Sequence, residues 1–128
     1  MSFRCVIVTP ESQALDLPAN QVIVPAHDGL MGILTGRAPL LVKLGVGPLT
    51  IDPVDGRRRV YFIDGGVAQV KDDVLSVVTT EATAVEELDR QQADAELAAA
   101  NAESGTTVSP EARERALQRA RAKVALTR

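Results

Sequence analysis

Residues 3–9 (FRCVIVT) set Phe3, Cys5 and Ile7 against Arg4, Val6 and Val8 in strict alternation. Both sets are mostly apolar, which predicts a strand covered on both faces. Thr9 and Pro10 end it. A short second strand is expected over 12–17, a turn at Pro18, Ala19 and Asn20, and a buried strand at Val22, Ile23 and Val24 that stops at Pro25. Further strands are expected over 40–44, 48–51, 57–63, 67–70 and 74–79. Between them lie a bend or bulge at Gly45 and Gly47, a hairpin turn at Pro53, Val54, Asp55 and Gly56, a turn at Asp64, Gly65 and Gly66, and a polar turn over 71–73. Short strands separated at regular spacing by turn residues indicate an antiparallel β-sandwich or flattened barrel, here ending near residue 85.

Past residue 86 the β-branched residues nearly vanish and Ala, Glu, Gln and Arg take over. Asp89 suits the N-cap of a helix whose apolar stripe is Ala93, Leu97 and Ala100, running through Asn101. Gly105, Thr106 and Thr107 break the pattern; Ser109, Pro110 and Glu111 then start a second helix to about Leu126, with Ala116, Leu117, Ala120 and Val124 on one side. The expected division is a sandwich over 1–85 and a C-terminal α-helical hairpin over 86–128. Burial yields roughly 0.8 kcal/mol per methylene, so alanine-lined faces predict a hairpin that packs closely but weakly and can leave its partner surface.

The 22–41 stretch organises the rest. Gly29, Gly32 and Gly36, with Pro25 and Pro39 around them, predict a turning backbone, yet Leu30, Met31, Ile33 and Leu34 sit among the glycines. Loops ordinarily carry polar side chains. The pattern therefore points to a docking surface, with a structural crossover whose leucines point inward as the plain alternative.

Composition narrows the function. The chain has 128 residues, 45% of them hydrophobic but only 2% aromatic, with no Trp, so the core must be built from Val, Ile, Leu and Ala. A net charge of −3 gives no general attraction to nucleic acid or anionic lipid. Cys5 is the single cysteine, which excludes an intramolecular disulfide and a CxxC motif and fits a reducing compartment. The N-terminus lacks a signal-peptide pattern, and no apolar run reaches the roughly 20 residues of a membrane helix. With one His and one Cys, no metal cluster is expected.

Catalytic motifs are also wanting. His27 beside Asp28, with Asp64 as a third member, is the one acid/base set that a small hydrolase could use, but adjacent residues seldom converge on one substrate atom. The serines lack GxSxG, and neither GxGxxG nor GxxxxGK[ST] is present. On the second helix Arg115, Arg119 and Lys123 follow at four-residue intervals, with Arg113 and Arg121 nearby, against Glu111 and Glu114. That ridge is either a solvated face or a docking surface for an acidic partner.

Taken together these residues resemble the epsilon subunit of F-type ATP synthases over essentially the whole chain. The opening strand ending in Val8, Thr9 and Pro10 is similar to that family's, and so are Val24-Pro25-Ala26, Asp28-Gly29, Gly32-Ile33-Leu34, Gly36, Ala38-Pro39-Leu40-Leu41 and Gly65-Gly66-Val67-Ala68. Arg37 stands where the family commonly has His, and Leu30 and Met31 where it often has an acidic residue. The resemblance implies a noncatalytic rotor subunit of the F1 sector, peripheral on the cytoplasmic face of the bacterial inner membrane. It would clasp the gamma subunit and the c-ring through Leu30, Met31, Gly32, Ile33, Arg37, Ala38, Pro39 and Leu40. The hairpin, once extended, would meet alpha and beta subunits and inhibit ATP hydrolysis through Arg113, Arg115, Arg119, Arg121 and Lys123. Some bacterial members bind ATP through [IL]-D-x-x-R-A; Leu88-Asp89-Arg90-Gln91-Gln92-Ala93 has Gln92 at the Arg position, so no cofactor is expected, and Asp89, Arg90 and Gln92 are where a nucleotide would have to bind. A free-standing β-sandwich binding module is the alternative from another class.

Overall fold

A computed structural model describes residues 2–102 and 110–127. Seven strands come first: β1 (Phe3–Val8), β2 (Gln13–Ala26), β3 (Gly29–Leu34), β4 (Leu40–Pro53), β5 (Arg59–Lys71), β6 (Val74–Val78) and β7 (Ala82–Ala84). A single 3-10 turn, Val85–Glu87, leads to helices α1 (Arg90–Ala102) and α2 (Pro110–Leu126). The expected breaker at Gly105, Thr106 and Thr107 and the cap at Ser109 lie outside the described residues.

The strands run in the order β1-β6-β5-β4-β2-β3, and β1 also pairs with β2, which closes the sheet on itself. Only β1 and β6 run parallel; every other pairing is antiparallel. Closure explains the length of β2, β4 and β5. Each contributes one half to each face of a flattened barrel and must bend between them. Thus the first half of β2 pairs with β1 and the second half with β3 and β4.

Several expected turns are these bends. Pro18, Ala19 and Asn20 make no turn: β2 runs through them, with a register irregularity against β4 between Ala19 and Gln21. Proline lacks an N–H and is tolerated in strands at such bulges. Asp64, Gly65 and Gly66 likewise lie inside β5. Gly65 and Gly66 have φ of +71° and +113°, and a Cβ on Gly66 would lie 2.0 Å from the Val78 carbonyl oxygen, so the kink needs glycine there. The 22–41 stretch is not one long loop either. His27 and Asp28 form a tight turn, and 29–34 returns as β3 against β2. Gly32 therefore sits within a strand, outside the left-handed region, and a Cβ there would meet only Gln21 Nε2, at 3.6 Å.

The core lies between the two faces and consists of aliphatic residues such as Ile7, Val22, Ile33, Leu49, Ile51, Ile63, Leu75 and Val77, with Phe3 and Cys5. Phe62 is fully buried yet stands outside that cluster. It alternates with the inward Ile63, so it faces away from the core, on the side where α2 packs against β4 and β5.

Candidate functional site

Two sets of apolar side chains face outward from the sandwich. On β3, Leu30 and Leu34 are 69% and 57% exposed, while Ile33 is buried in the core and Met31 packs partly against it. Strand alternation produces this split: Leu30, Gly32 and Leu34 share the outer face. The second set spans the other layer. Lys43 pairs with Val67 and Val67 with Val78, and Leu41, 70% exposed, lies diagonal to Val67 across the β4–β5 ladder. Contiguous exposed apolar side chains on rigid strands mark contact surfaces.

The loop between β3 and β4 presents Arg37, Ala38 and Pro39 to solvent, with Leu40 half-buried against the core. It is tied down at one point. Gly36 donates its N–H to Asp73 Oδ1 at 2.9 Å, and the Asp73 carbonyl accepts the Arg4 N–H at 2.9 Å. Asp72 and Asp73, with φ of 52° and 59°, form the left-handed turn between β5 and β6. Of the eight expected docking residues, Leu30, Gly32, Arg37, Ala38 and Pro39 face out, Met31 and Leu40 are half-buried, and Ile33 belongs to the core.

The helical hairpin builds a second feature. Asp89 caps α1 by accepting the Gln91 N–H at 2.8 Å, as its position predicts. Ala93 and Ala100 of α1 and Leu117, Ala120 and Val124 of α2 are buried where the helices meet each other and the sandwich. The cationic residues of α2 do not form a continuous ridge in this arrangement. Arg115 and Arg121 are exposed and Arg113 is half-buried with its Nε unpartnered. Arg119 and Lys123 turn inward.

Arg119 reaches Glu81 Oε1 from a terminal guanidinium nitrogen at 2.8 Å, and its Nε stands 3.0 Å from Asp64 Oδ2. That second contact is a charge contact without hydrogen-bond alignment. Lys123 Nζ lies 3.3 Å from Glu81 Oε2, 3.4 Å from Glu96 Oε2 and 5.1 Å from the centre of the Phe62 ring. Glu81 also accepts the Thr83 hydroxyl at 3.2 Å. Phe62 and Asp64 share the outer face of β5, and Glu81 leads into β7 alongside, its carbonyl accepting the Asp64 N–H. The sequence places Asp64 in a turn and as a possible third member beside His27, and assigns no role to Phe62, Glu81 or Glu96. Asp64, two residues after Phe62 on the same strand face, is the one local hint; Glu81 and Glu96 are remote in the chain.

The three positions where a nucleotide would have to bind are otherwise engaged or uncharged: Asp89 caps the helix, Arg90 is exposed 4.0 Å from Asp94, and Gln92 carries no charge. The recess of about 150 Å³ beside them is lined by Glu81, Glu87, Asp89 and Glu96 against the single ammonium of Lys123, so its lining is predominantly acidic. Nor does a hydrolytic set assemble: His27 is exposed in its turn, and Asp64 is engaged by Arg119. Among the described residues no group of three His, Cys, Asp or Glu could hold a metal ion.

Comparison with known proteins agrees with this architecture. The family described as ATP synthase, Delta/Epsilon chain, beta-sandwich domain matches residues 2–85. The ATP synthase epsilon chain of Rhodopirellula baltica is 43% identical over the full length of both chains. That of Chromohalobacter salexigens is 39% identical over 73% of this chain and 66% of its own. A chain in the cryo-EM structure of the Euglena gracilis mitochondrial ATP synthase, OSCP/F1/c-ring in rotational state 1, superposes with a TM-score of 0.86 at 26% identity, over 99% of this chain and 82% of that one. The chain therefore belongs to the ATP synthase epsilon chain family and is a noncatalytic accessory subunit.

Proposed function

We propose that this subunit rides on the rotor of a rotary ATP synthase, clasping gamma and resting on the c-ring so that torque passes between them without slippage. It sits in the F1 sector, peripheral to the cytoplasmic face of the bacterial membrane; none of its described helices is long and apolar enough to cross a bilayer. The sandwich is the docking body, residues 1–85, and the hairpin, residues 86–128, is the regulatory arm. Leu30, Gly32, Arg37, Ala38 and Pro39 provide the outward edge, with Met31 and Leu40 beneath it.

The observation that carries this reading is the placement of Leu30 and Leu41, each more than two-thirds exposed, on strands of a closed and rigid sandwich. Leucines held that way expose apolar area that a partner can bury without ordering a loop first. When the hairpin extends along gamma, its basic residues face acidic groups of a beta subunit and oppose rotation in the hydrolysis direction. Charge complementarity sets register for that contact, and salt weakens it. The test is co-purification: the tagged chain should bring gamma and the c-ring out of detergent-solubilised membranes in fixed stoichiometry. A tagged chain that folds but is recovered alone would contradict the assignment.

A further inference from the structure

We infer that Arg119 and Lys123 form an internal latch that closes the hairpin on the sandwich without any ligand, and that these cations must leave Asp64, Glu81 and Glu96 before α2 can engage another acidic surface.

The latch joins elements far apart in sequence. Asp64 comes from β5, Glu81 from the segment entering β7, Glu96 from α1, and both cations from α2. Three carboxylates face two cations, so the seat is neutralised with acid to spare. Among the residues lining the adjoining recess Lys123 is the one cation, and Glu87 and Asp89 make that recess more acidic still. Closure is therefore complete within the chain.

Burial makes the network consequential. Lys123 is 9% exposed, the one buried charged residue among the described residues. An ammonium at that depth is tolerated because Glu81, Glu96 and the Phe62 ring surround it. Removing one partner of such a group costs more than the pair contributes, since the remaining charge stays desolvated. The apolar contact beside it combines the Phe62 ring, Leu117 and Val124 with Ala93, Ala100 and Ala120, so the ionic network fixes the register of a contact that apolar burial also holds. Glu81 is the hub: it meets Arg119, Lys123 and Thr83 at once.

The consequence for the assembly rests on the rotor reading above. Arg119 and Lys123 cannot pair with the sandwich and with a beta subunit simultaneously, so the closed arm withholds part of its own docking charge. Arg115 and Arg121, exposed while the arm is closed, remain free to make the first contact.

Hydrogen exchange on the isolated full chain tests the latch. With Glu81→Gln, protection of α2 amides should fall about tenfold while protection around Ile7 and Leu75 in the sandwich is unchanged. Arg119→Gln, on the helix side of the same contact, should lower α2 protection likewise. Saturating Mg-ATP should leave the parent unaltered. Protection of α2 within about twofold of the parent in both variants would overturn the latch, and ATP-induced protection of α2 would overturn its independence of ligand. No partner is present in this experiment, so its failure would leave the rotor assignment standing, and failed co-purification would leave the latch standing.

Discussion

Replacing Gly66 with alanine separates the glycine that the barrel requires from one that it merely contains. Gly66 has φ +113°, where an L-residue carries a strain of about 1–3 kcal/mol. The added Cβ would lie 2.0 Å from the Val78 carbonyl oxygen and 3.0 Å from Thr79 Cα, both backbone atoms, so no side-chain rotation relieves the clash. Moving the end of β6 away disturbs the Val67–Val78 pairing, and a lost ladder hydrogen bond adds about 1 kcal/mol. The total is about 2–4 kcal/mol, a large share of the 5–15 kcal/mol typical of a domain. For a sandwich of this size it lowers the melting temperature by about 10–20 °C. The chain has no Trp, so circular dichroism during urea or thermal unfolding is the suitable assay. Gly32→Ala is the control: its nearest neighbour would be Gln21 Nε2 at 3.6 Å and its φ is unstrained, so a change within about 1 kcal/mol of either sign is expected. Equal midpoints for Gly66→Ala and Gly32→Ala would refute the reasoning.

Burial first, and then the Asp16 charge, push the Cys5 thiol up to about 12. A thiol reagent at pH 8 should therefore label it only in denaturant, and stability should decline as pH rises from the unfolded thiol's pKa of about 8.5 toward that value, because the unfolded chain loses the proton first. Rapid labelling of the native chain would contradict this. The Arg4 hydrogen bond holds the Asp16 carboxyl below its ordinary 3.8, so the pair's small contribution is present above that pH and is lost as pH falls through the lowered value; Arg4→Ala should return the carboxyl signal in an NMR titration to the ordinary range. Asp73→Ala should speed hydrogen exchange at Gly36 while leaving β5 and β6 protected, and an unchanged Gly36 rate would mean that the bond does not hold the 35–39 loop. Neutralising Arg115 and Arg121 together should relieve inhibition of ATP hydrolysis without opening the arm, since neither takes part in an ion pair to the sandwich; unaltered hydrolysis would leave them a solvated face.

The sandwich, the helix cap at Asp89 and the apolar positions of both helices were legible because each depends on local periodicity or a single capping side chain. Pro18 and Gly66 misled for one shared reason. A strand that crosses between two faces of a closed barrel bends at the residues that elsewhere make turns, and only the pairing partners tell the cases apart. β3 was hidden by Gly29 and Gly32, although Leu30, Met31, Ile33 and Leu34 keep a period of two around them. The four-residue spacing of Arg115, Arg119 and Lys123 was visible, but not its partners, because Asp64 and Glu81 lie 55 and 38 residues before Arg119 in the chain. Which face of β5 carried Phe62 could not be read while both faces were apolar.

The most direct test of the docking account is a double variant, Leu30→Asp with Leu41→Asp. Both side chains are solvent-exposed, so the melting temperature should stay near that of the parent. Binding of this variant to an ATP synthase preparation stripped of its epsilon chain should be lost, together with coupled ion pumping. A variant that rebinds with parental affinity and restores pumping would show that these outward leucines do not hold the subunit on its rotor.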